Sequence, residues 1–234
     1  MSYPWQDEHD FPVGRILHRD GLILIINKPP GIMVHNGPGR SPSLENYFDA
    51  LRFGLPKPPA LAHRLDRDTS GCLVLGRHRK ALGLLGGLFS EGKIDKTYWA
   101  VVQGHPPEQE GVIDLPLWKR KRPRGRMWVE VNENKGRPSQ THYKVLGQSD
   151  TLTWLELKPL TGRTHQLRVH CAALKMPILG DFFYGEKRKE GPALHLHAQA
   201  ISVPLHAKKE PVSVTAPLPE HFEKTVEKYF STNI

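Results

Sequence analysis

Cysteine is nearly missing from this chain. Two occur among 234 residues, Cys72 and Cys171, each inside an apolar stretch and without ligand-like spacing. No disulfide framework follows from so few, and the pair reads as reduced core thiols of a cytosolic protein. Long hydrophobic runs are missing as well. The longest, Leu22–Ile26, has the length of a strand, far short of the roughly 20 residues of a membrane helix. The first ten residues are acidic and carry no apolar core, which argues against a secretory signal or an Arg-rich transit peptide. A cytoplasmic location and no membrane partner are therefore expected. Negative charge is the remaining deficit: 24 Asp plus Glu stand against 33 Lys plus Arg, a formal +9. A field of that sign favours polyanionic partners, nucleic acid before anionic membrane.

What is present suits one large domain or two closely packed subdomains, with ample chain to bury a core. There is no internal repeat and no long linker. Residues 1–15 read as an irregular arm, and 16–234 as a single domain of two closely packed subdomains. Leu22–Asn27 fits a buried strand, halted by Lys28-Pro29-Pro30-Gly31 because proline stops pairing and glycine permits a turn. Ser43 is placed to cap a helix through about Leu51. Cys72–Leu75 resembles a second buried strand. Lys80–Glu91 reads as a helix, weakened by Gly83, Gly86 and Gly87 at about 1 kcal/mol each against alanine. Strands are expected at Thr97–Gln103, Ser139–Leu146, Thr151–Leu157, Leu194–Val203 and Val212–Ala216. Thr164 offers an N-cap for a helix from His165 to about Leu174, with Leu167, Cys171 and Leu174 on one apolar stripe, and a short helix follows Pro219. Many strands with helices scattered among them give α+β, a mostly antiparallel mixed sheet flanked by helices.

The most informative segment is His63-Arg64-Leu65-Asp66-Arg67-Asp68-Thr69-Ser70-Gly71. It sets one carboxylate, Asp66, between Arg64 and Arg67. A carboxylate beside guanidinium groups stays ionised at neutral pH, a poor proton donor but a usable nucleophile or base. The same pattern in isolation is more often a salt-bridged surface loop.

The whole nonapeptide looks like the active-site motif of the RluA-type pseudouridine synthases. Three further segments extend the likeness in the same order: Asn27-Lys28-Pro29-Pro30-Gly31 with Val34-His35; Lys96-Thr97-Tyr98; and Thr161-Gly162-Arg163-Thr164-His165-Gln166-Leu167-Arg168-Val169-His170, trailed by Pro177-Ile178-Leu179-Gly180-Asp181 and Tyr184-Gly185. The resemblance implies the pseudouridine synthase fold with a central RNA-binding cleft. It implies Asp66 as the catalytic residue and Tyr98 stacked on or packed against the uracil. It gives Arg168 the task of pairing with Asp66, a task an arginine fork does better than a lysine. Arg64 is expected to enter the RNA where the target nucleotide leaves. The reaction so implied breaks the N1–C1′ bond, turns the uracil and bonds C5 to C1′. Its balance calls for no cofactor and no metal. Addition to C6, attack on C1′ and removal of the C2′ proton all use one carboxylate at nearly one place, and residue types do not choose among them.

Two other readings compete. Asp66 with Asp68 resembles a glycosidase dyad, but three basic neighbours favour two anions and leave no proton donor. Asp68 is better taken as a turn-stabilising or solvated charge. His63, His165, His170, His195 and His197 lack zinc-site spacing and read as satisfied polar histidines. The densest charge run, Lys119, Arg120, Lys121, Arg122, Arg124 and Arg126, is either a mobile solvated loop or a flexible segment contacting RNA phosphates.

The expectation is thus a monomeric enzyme that isomerises a specific uridine in an rRNA and/or tRNA stem-loop. The compact members, including the type that modifies both 23S rRNA and a tRNA, are most similar, since the first motif begins too early for a preceding RNA-binding module. A compact relative acting on another tRNA uridine is the alternative, as is an RNA-binding or ribosome-assembly factor on the same fold.

Overall fold

The computed structural model describes residues 10–36, 42–121, 127–185 and 191–230. Residues 1–9 of the expected arm, and Arg122, Arg124 and Arg126 of the basic run, lie outside the described residues. In chain order the strands are β1 (Ile16–Arg19), β2 (Ile23–Lys28), β3 (Ala60–Leu61), β4 (Ser70–Gly76), β5 (Asp95–Gln103), β6 (Glu110–Asp114), β7 (Leu117–Lys121), β8 (Met127–Val131), β9 (Gln140–Gln148), β10 (Leu152–Pro159), β11 (Leu196–Val203) and β12 (Val212–Thr215). The α-helices are α1 (Arg79–Ser90), α2 (Gln166–Ala173) and α3 (Glu220–Phe230). The class is α+β, as expected. The chain divides into two compact units, Met1–Lys96 with His197–Pro219, and Thr97–Leu196 with Glu220–Ile234.

In the first unit β4 is central. One edge pairs antiparallel with β2 from Ile23↔Gly76 to Lys28↔Gly71, and β2 pairs onward with β1. Its other edge is shared by β3, antiparallel at Leu75 and Gly76, and by β11, parallel at Ser70 and Gly71. Every residue of β4 is buried, which explains why Cys72-Leu73-Val74-Leu75 is an unbroken apolar run with no alternation. Gly71, second in the strand, sits at φ +105°, and a Cβ there would overlap the Ala198 carbonyl. Only glycine permits this close parallel start. The α1 helix forms in spite of its three glycines. The His78 side chain caps it by accepting the Ala81 N–H at 3.2 Å, and Ala81 and Leu85 are buried beneath it. The segment after Ser43 is helical but wound as a 3-10 helix, Leu44–Leu51, with Asn46 Oδ1 accepting the Ser43 N–H at 2.7 Å.

The second unit holds the antiparallel order β5-β10-β9-β6, with a separate β7–β8 pair. Its core includes Ala100, Val102, Leu155, Leu157, Leu167, Cys171, Met176 and Ile178. The expected stripe on α2 holds, with Leu167 and Cys171 buried and Leu174 packed beside them. The expected cap does not. Helix α2 starts at Gln166 behind His165, which sits at φ 54° and holds the N-cap position in place of Thr164. The expected short final helix runs eleven residues and seats Phe222 and Phe230 fully inside.

Candidate active site

The Asp66 loop connects β3 to β4 and is fixed at both ends. Before Asp66, the ring of His63 takes the place of a strand partner. Its Nε2 accepts the Val74 N–H at 3.0 Å, next to the Ala62 N–H bond to the Val74 carbonyl at 3.1 Å. A nitrogen that accepts is unprotonated, so the ring proton sits on Nδ1. The ring lies 4.7 Å from that of Phe89 on α1. Burial, aided by the Lys96 charge, pushes the imidazole pKa down to about 3. Leu65 then anchors the loop in the core at 4% exposure.

After Asp66, a tight turn closes when its carbonyl accepts the Thr69 N–H at 3.2 Å. Lys28, at the end of β2, is wholly buried. Its ammonium donates to the carbonyls of Pro29 at 2.7 Å, Ile32 at 3.0 Å and Arg67 at 2.9 Å. The Arg67 carbonyl also accepts the Gly31 N–H at 2.9 Å. The Asn-Lys-Pro-Pro-Gly segment thereby grips the residue that follows Asp66. Burial pushes the Lys28 pKa down to about 7 against the opposing pull of Asp68 and Asp66. Beyond the turn, Ser70 Oγ meets His197 Nδ1 at 2.8 Å, while His197 Nε2 reaches the Ala216 carbonyl at 3.2 Å. Since a carbonyl only accepts, Nε2 carries the proton and Nδ1 accepts from the serine.

The result is a half-buried Asp66 on a short loop tied to β2, β4 and α1. Arg64 is exposed beside it. The Arg67 fork closes on its neighbour Asp68, at 3.0 Å and 3.1 Å. Asp68 thus pairs with its chain neighbour in a partly exposed ion pair.

In the second unit, Tyr98 lies on β5 opposite Leu157 and is half-buried against the core. Arg168 is buried on α2 and forms a two-pronged pair with Asp181, Nε to Oδ2 at 2.7 Å and Nη2 to Oδ1 at 2.8 Å. Asp181 Oδ1 also accepts the N–H groups of Phe183 at 2.9 Å and Tyr184 at 3.1 Å. The guanidinium lies 5.2 Å from the Phe183 ring centre and 5.3 Å from that of Tyr184, within cation–π range. Tyr184 in turn meets His165 Nδ1 at 2.7 Å. Gln166 uses all its amide capacity, accepting from Thr161 and Arg163 and donating to Gln140 and Thr141. Lys119 and Arg120 stand exposed on β7, which corrects the expectation of a flexible loop for 119–121: Lys119, Arg120 and Lys121 are paired with β8. Among the described residues no cluster of histidine, cysteine and carboxylate side chains has the form of a metal site.

Comparison with known proteins gives these motifs their meaning. Residues 22–173 match the family model described as RNA pseudouridylate synthase. The chain belongs to the RNA pseudouridylate synthase family. It is 43% identical over 210 residues to an uncharacterized RNA pseudouridine synthase of Zymomonas mobilis, covering 89% of this chain and 95% of that one. It is 36% identical over 223 residues to the ribosomal large subunit pseudouridine synthase C of Vibrio vulnificus, covering 91% and 68%. Among solved structures, human RNA pseudouridylate synthase domain containing 4 superposes with a TM-score of 0.76 at 29% identity, covering 91% of this chain and 92% of that one. Human RNA pseudouridylate synthase domain containing 1 gives 0.72 at 32% identity, with 87% and 83% covered. The protein is thus an isomerase whose substrate is RNA.

In this pseudouridine synthase, sequence reasoning assigned no task to Lys28, His63, His197 or Asp181. Lys28 had one legible sign, a lysine closing an otherwise apolar strand. Asp181 had another, a lone acid after Gly180 at the end of Pro-Ile-Leu. His63 and His197 meet groups distant in sequence, the Val74 N–H for one and the Ser70 hydroxyl and Ala216 carbonyl for the other, and no local pattern announces that.

Proposed function

We propose that the enzyme converts a specific uridine in structured rRNA and/or tRNA to pseudouridine, with Asp66 as the catalytic carboxylate. The name of the Vibrio relative favours large-subunit rRNA. One observation carries the assignment. Asp66 is a partly exposed carboxylate on a loop whose two ends are held by His63 and Lys28. A group that must meet the sugar–base junction of a turning base needs its position fixed before the substrate arrives.

In this reading Tyr98 offers a flat ring to the uracil at little entropic cost, since aromatic rings stack on any base face. Arg168, held by Asp181, presents a guanidinium of fixed orientation, and its pairing with Asp66 belongs to the proposal. Exposed Arg64 engages the RNA as the nucleotide is extruded, a step that costs a few kcal/mol and least in a loop. Lys119 and Arg120 contact the RNA backbone, and the enzyme acts as a monomer.

Mapping pseudouridines by carbodiimide and primer extension, in total RNA with and without the gene, tests the function. At least one site must vanish on deletion. It must return with the wild-type gene and not with Asp66→Asn or Asp66→Ala. An unchanged map, or full restoration by either variant, contradicts the reading.

A further inference from the structure

Among the described residues, two large apolar side chains that stand at the surface are adjacent. Phe182 is 46% exposed and Phe183 43%. They occupy the turn that follows Asp181, and that turn is built to hold its shape. The Asp181 carbonyl accepts the Gly185 N–H at 2.9 Å. Its carboxylate accepts the Phe183 and Tyr184 N–H groups while gripping Arg168. A fully buried acid with four such bonds leaves the backbone little freedom, so the two phenyl rings are presented at set positions. Within the turn the Phe183 ring meets the Arg168 guanidinium, yet both phenylalanines keep more than two-fifths of their surface open to solvent. Exposed turn positions ordinarily carry polar residues, and two phenyl rings in water forgo the gain of burial.

We propose that Phe182 and Phe183 form a stacking platform for an unpaired base that flanks the target uridine. The inference rests on the RNA pseudouridine synthase reading and names one of its substrate contacts. Extruding a uridine deprives its neighbours of a stacking partner. An aromatic ring fixed beforehand replaces that partner without regard to base identity. The charge around the turn suits the same occupant. The chain carries a formal +9, the Arg168 guanidinium lies 5.2 Å from the Phe183 ring, and the His165 ring is 6.0 Å away. The platform is thereby attached to the arginine that the proposal places at the substrate.

The test uses the intact enzyme and unmodified 23S rRNA transcript. KM and kcat for pseudouridine formation are measured together with the Kd from filter binding. The variants are Phe182→Ala/Phe183→Ala, Phe183→Leu and Phe183→Tyr. The double variant is expected to raise KM and Kd roughly tenfold to hundredfold, with kcat changed less than about threefold. Phe183→Tyr keeps a ring and stays near wild type. Phe183→Leu keeps apolar bulk without a ring and shifts KM in the direction of alanine. Wild-type KM and Kd in the double variant overturn the inference, as does full function in Phe183→Leu. So does a double variant whose only change is lost self-association in sedimentation, which would assign the rings to a second copy. Ring-dependent binding by a wild type that forms no pseudouridine in any RNA would remove the enzymatic reading and leave the platform standing.

Discussion

Lys28 and Arg67 meet through a 2.9 Å hydrogen bond from a fully buried ammonium to a main-chain carbonyl. The residue before that carbonyl is Asp66. The buried lysine therefore sets the path of the loop that carries the carboxylate. Lys28→Met leaves buried carbonyls without their donor and is expected to lower stability by about 2–4 kcal/mol. It should also lower kcat at least about tenfold through displacement of Asp66, with KM changed little. Urea denaturation and steady-state kinetics check both. Lys28→Arg should not restore either, because a site with no exposure has no room for the fork.

The Arg168–Asp181 pair is buried on both sides, with side-chain exposures of 6% and 0%. Asp181→Asn removes one charge of this buried pair and is expected to cost about 3–5 kcal/mol. In a double-mutant cycle with Arg168→Met the two losses should fall well short of additive, since each removes the same bond. Additive losses would mean that the pair contributes no coupling.

Acid should weaken the fold through histidines that must stay neutral. Burial, with the nearby His221 adding to it, pushes His195 down to about 4 from the ordinary histidine value of 6.5. His63 goes lower, to about 3. Between the folded pKa and 6.5 the unfolded chain binds a proton that the folded chain does not, so stability falls as pH falls through that window. For His195 the loss from pH 7 to 5 is about 2 kcal/mol. His195→Gln, starting from lower stability, should give a flatter profile over the same range in urea melts.

Lys119 and Arg120 lie exposed on β7. If each neutralises one phosphate of a single-stranded loop, Lys119→Gln with Arg120→Gln should flatten the slope of log affinity against log salt by about 1.4. An unchanged slope would remove both residues from the RNA contact.

Much of this fold was legible because burial writes itself into composition. Strands β2 and β4 each contain an unbroken, buried apolar run, Ile23–Ile26 and Cys72–Leu75. The β7 strand was hidden because its run Trp118-Lys119-Arg120-Lys121 spells a basic loop, and the pairing partners lie beyond an intervening Pro-Gly segment. The Thr164 cap failed for a tertiary reason. His165 takes a left-handed conformation while its ring meets Tyr184 at 2.7 Å, a contact nineteen residues away. At the site, the carboxylate and the arginines were marked by their motif. The groups that hold them were not, because Lys28 reaches carbonyls contributed by residues 29, 32 and 67, and only the folded chain brings these together.

The central claim is that the Asp66 carboxylate drives the isomerisation. When C5 bonds to C1′, the hydrogen on C5 leaves, so tritium placed there is released to water once per turnover. Purified wild-type enzyme and Asp66→Asn, matched for RNA affinity within a few-fold, should differ completely. The wild type releases tritium, and the variant releases none above protein-free RNA. Release by Asp66→Asn at a rate near that of the wild type would contradict the account.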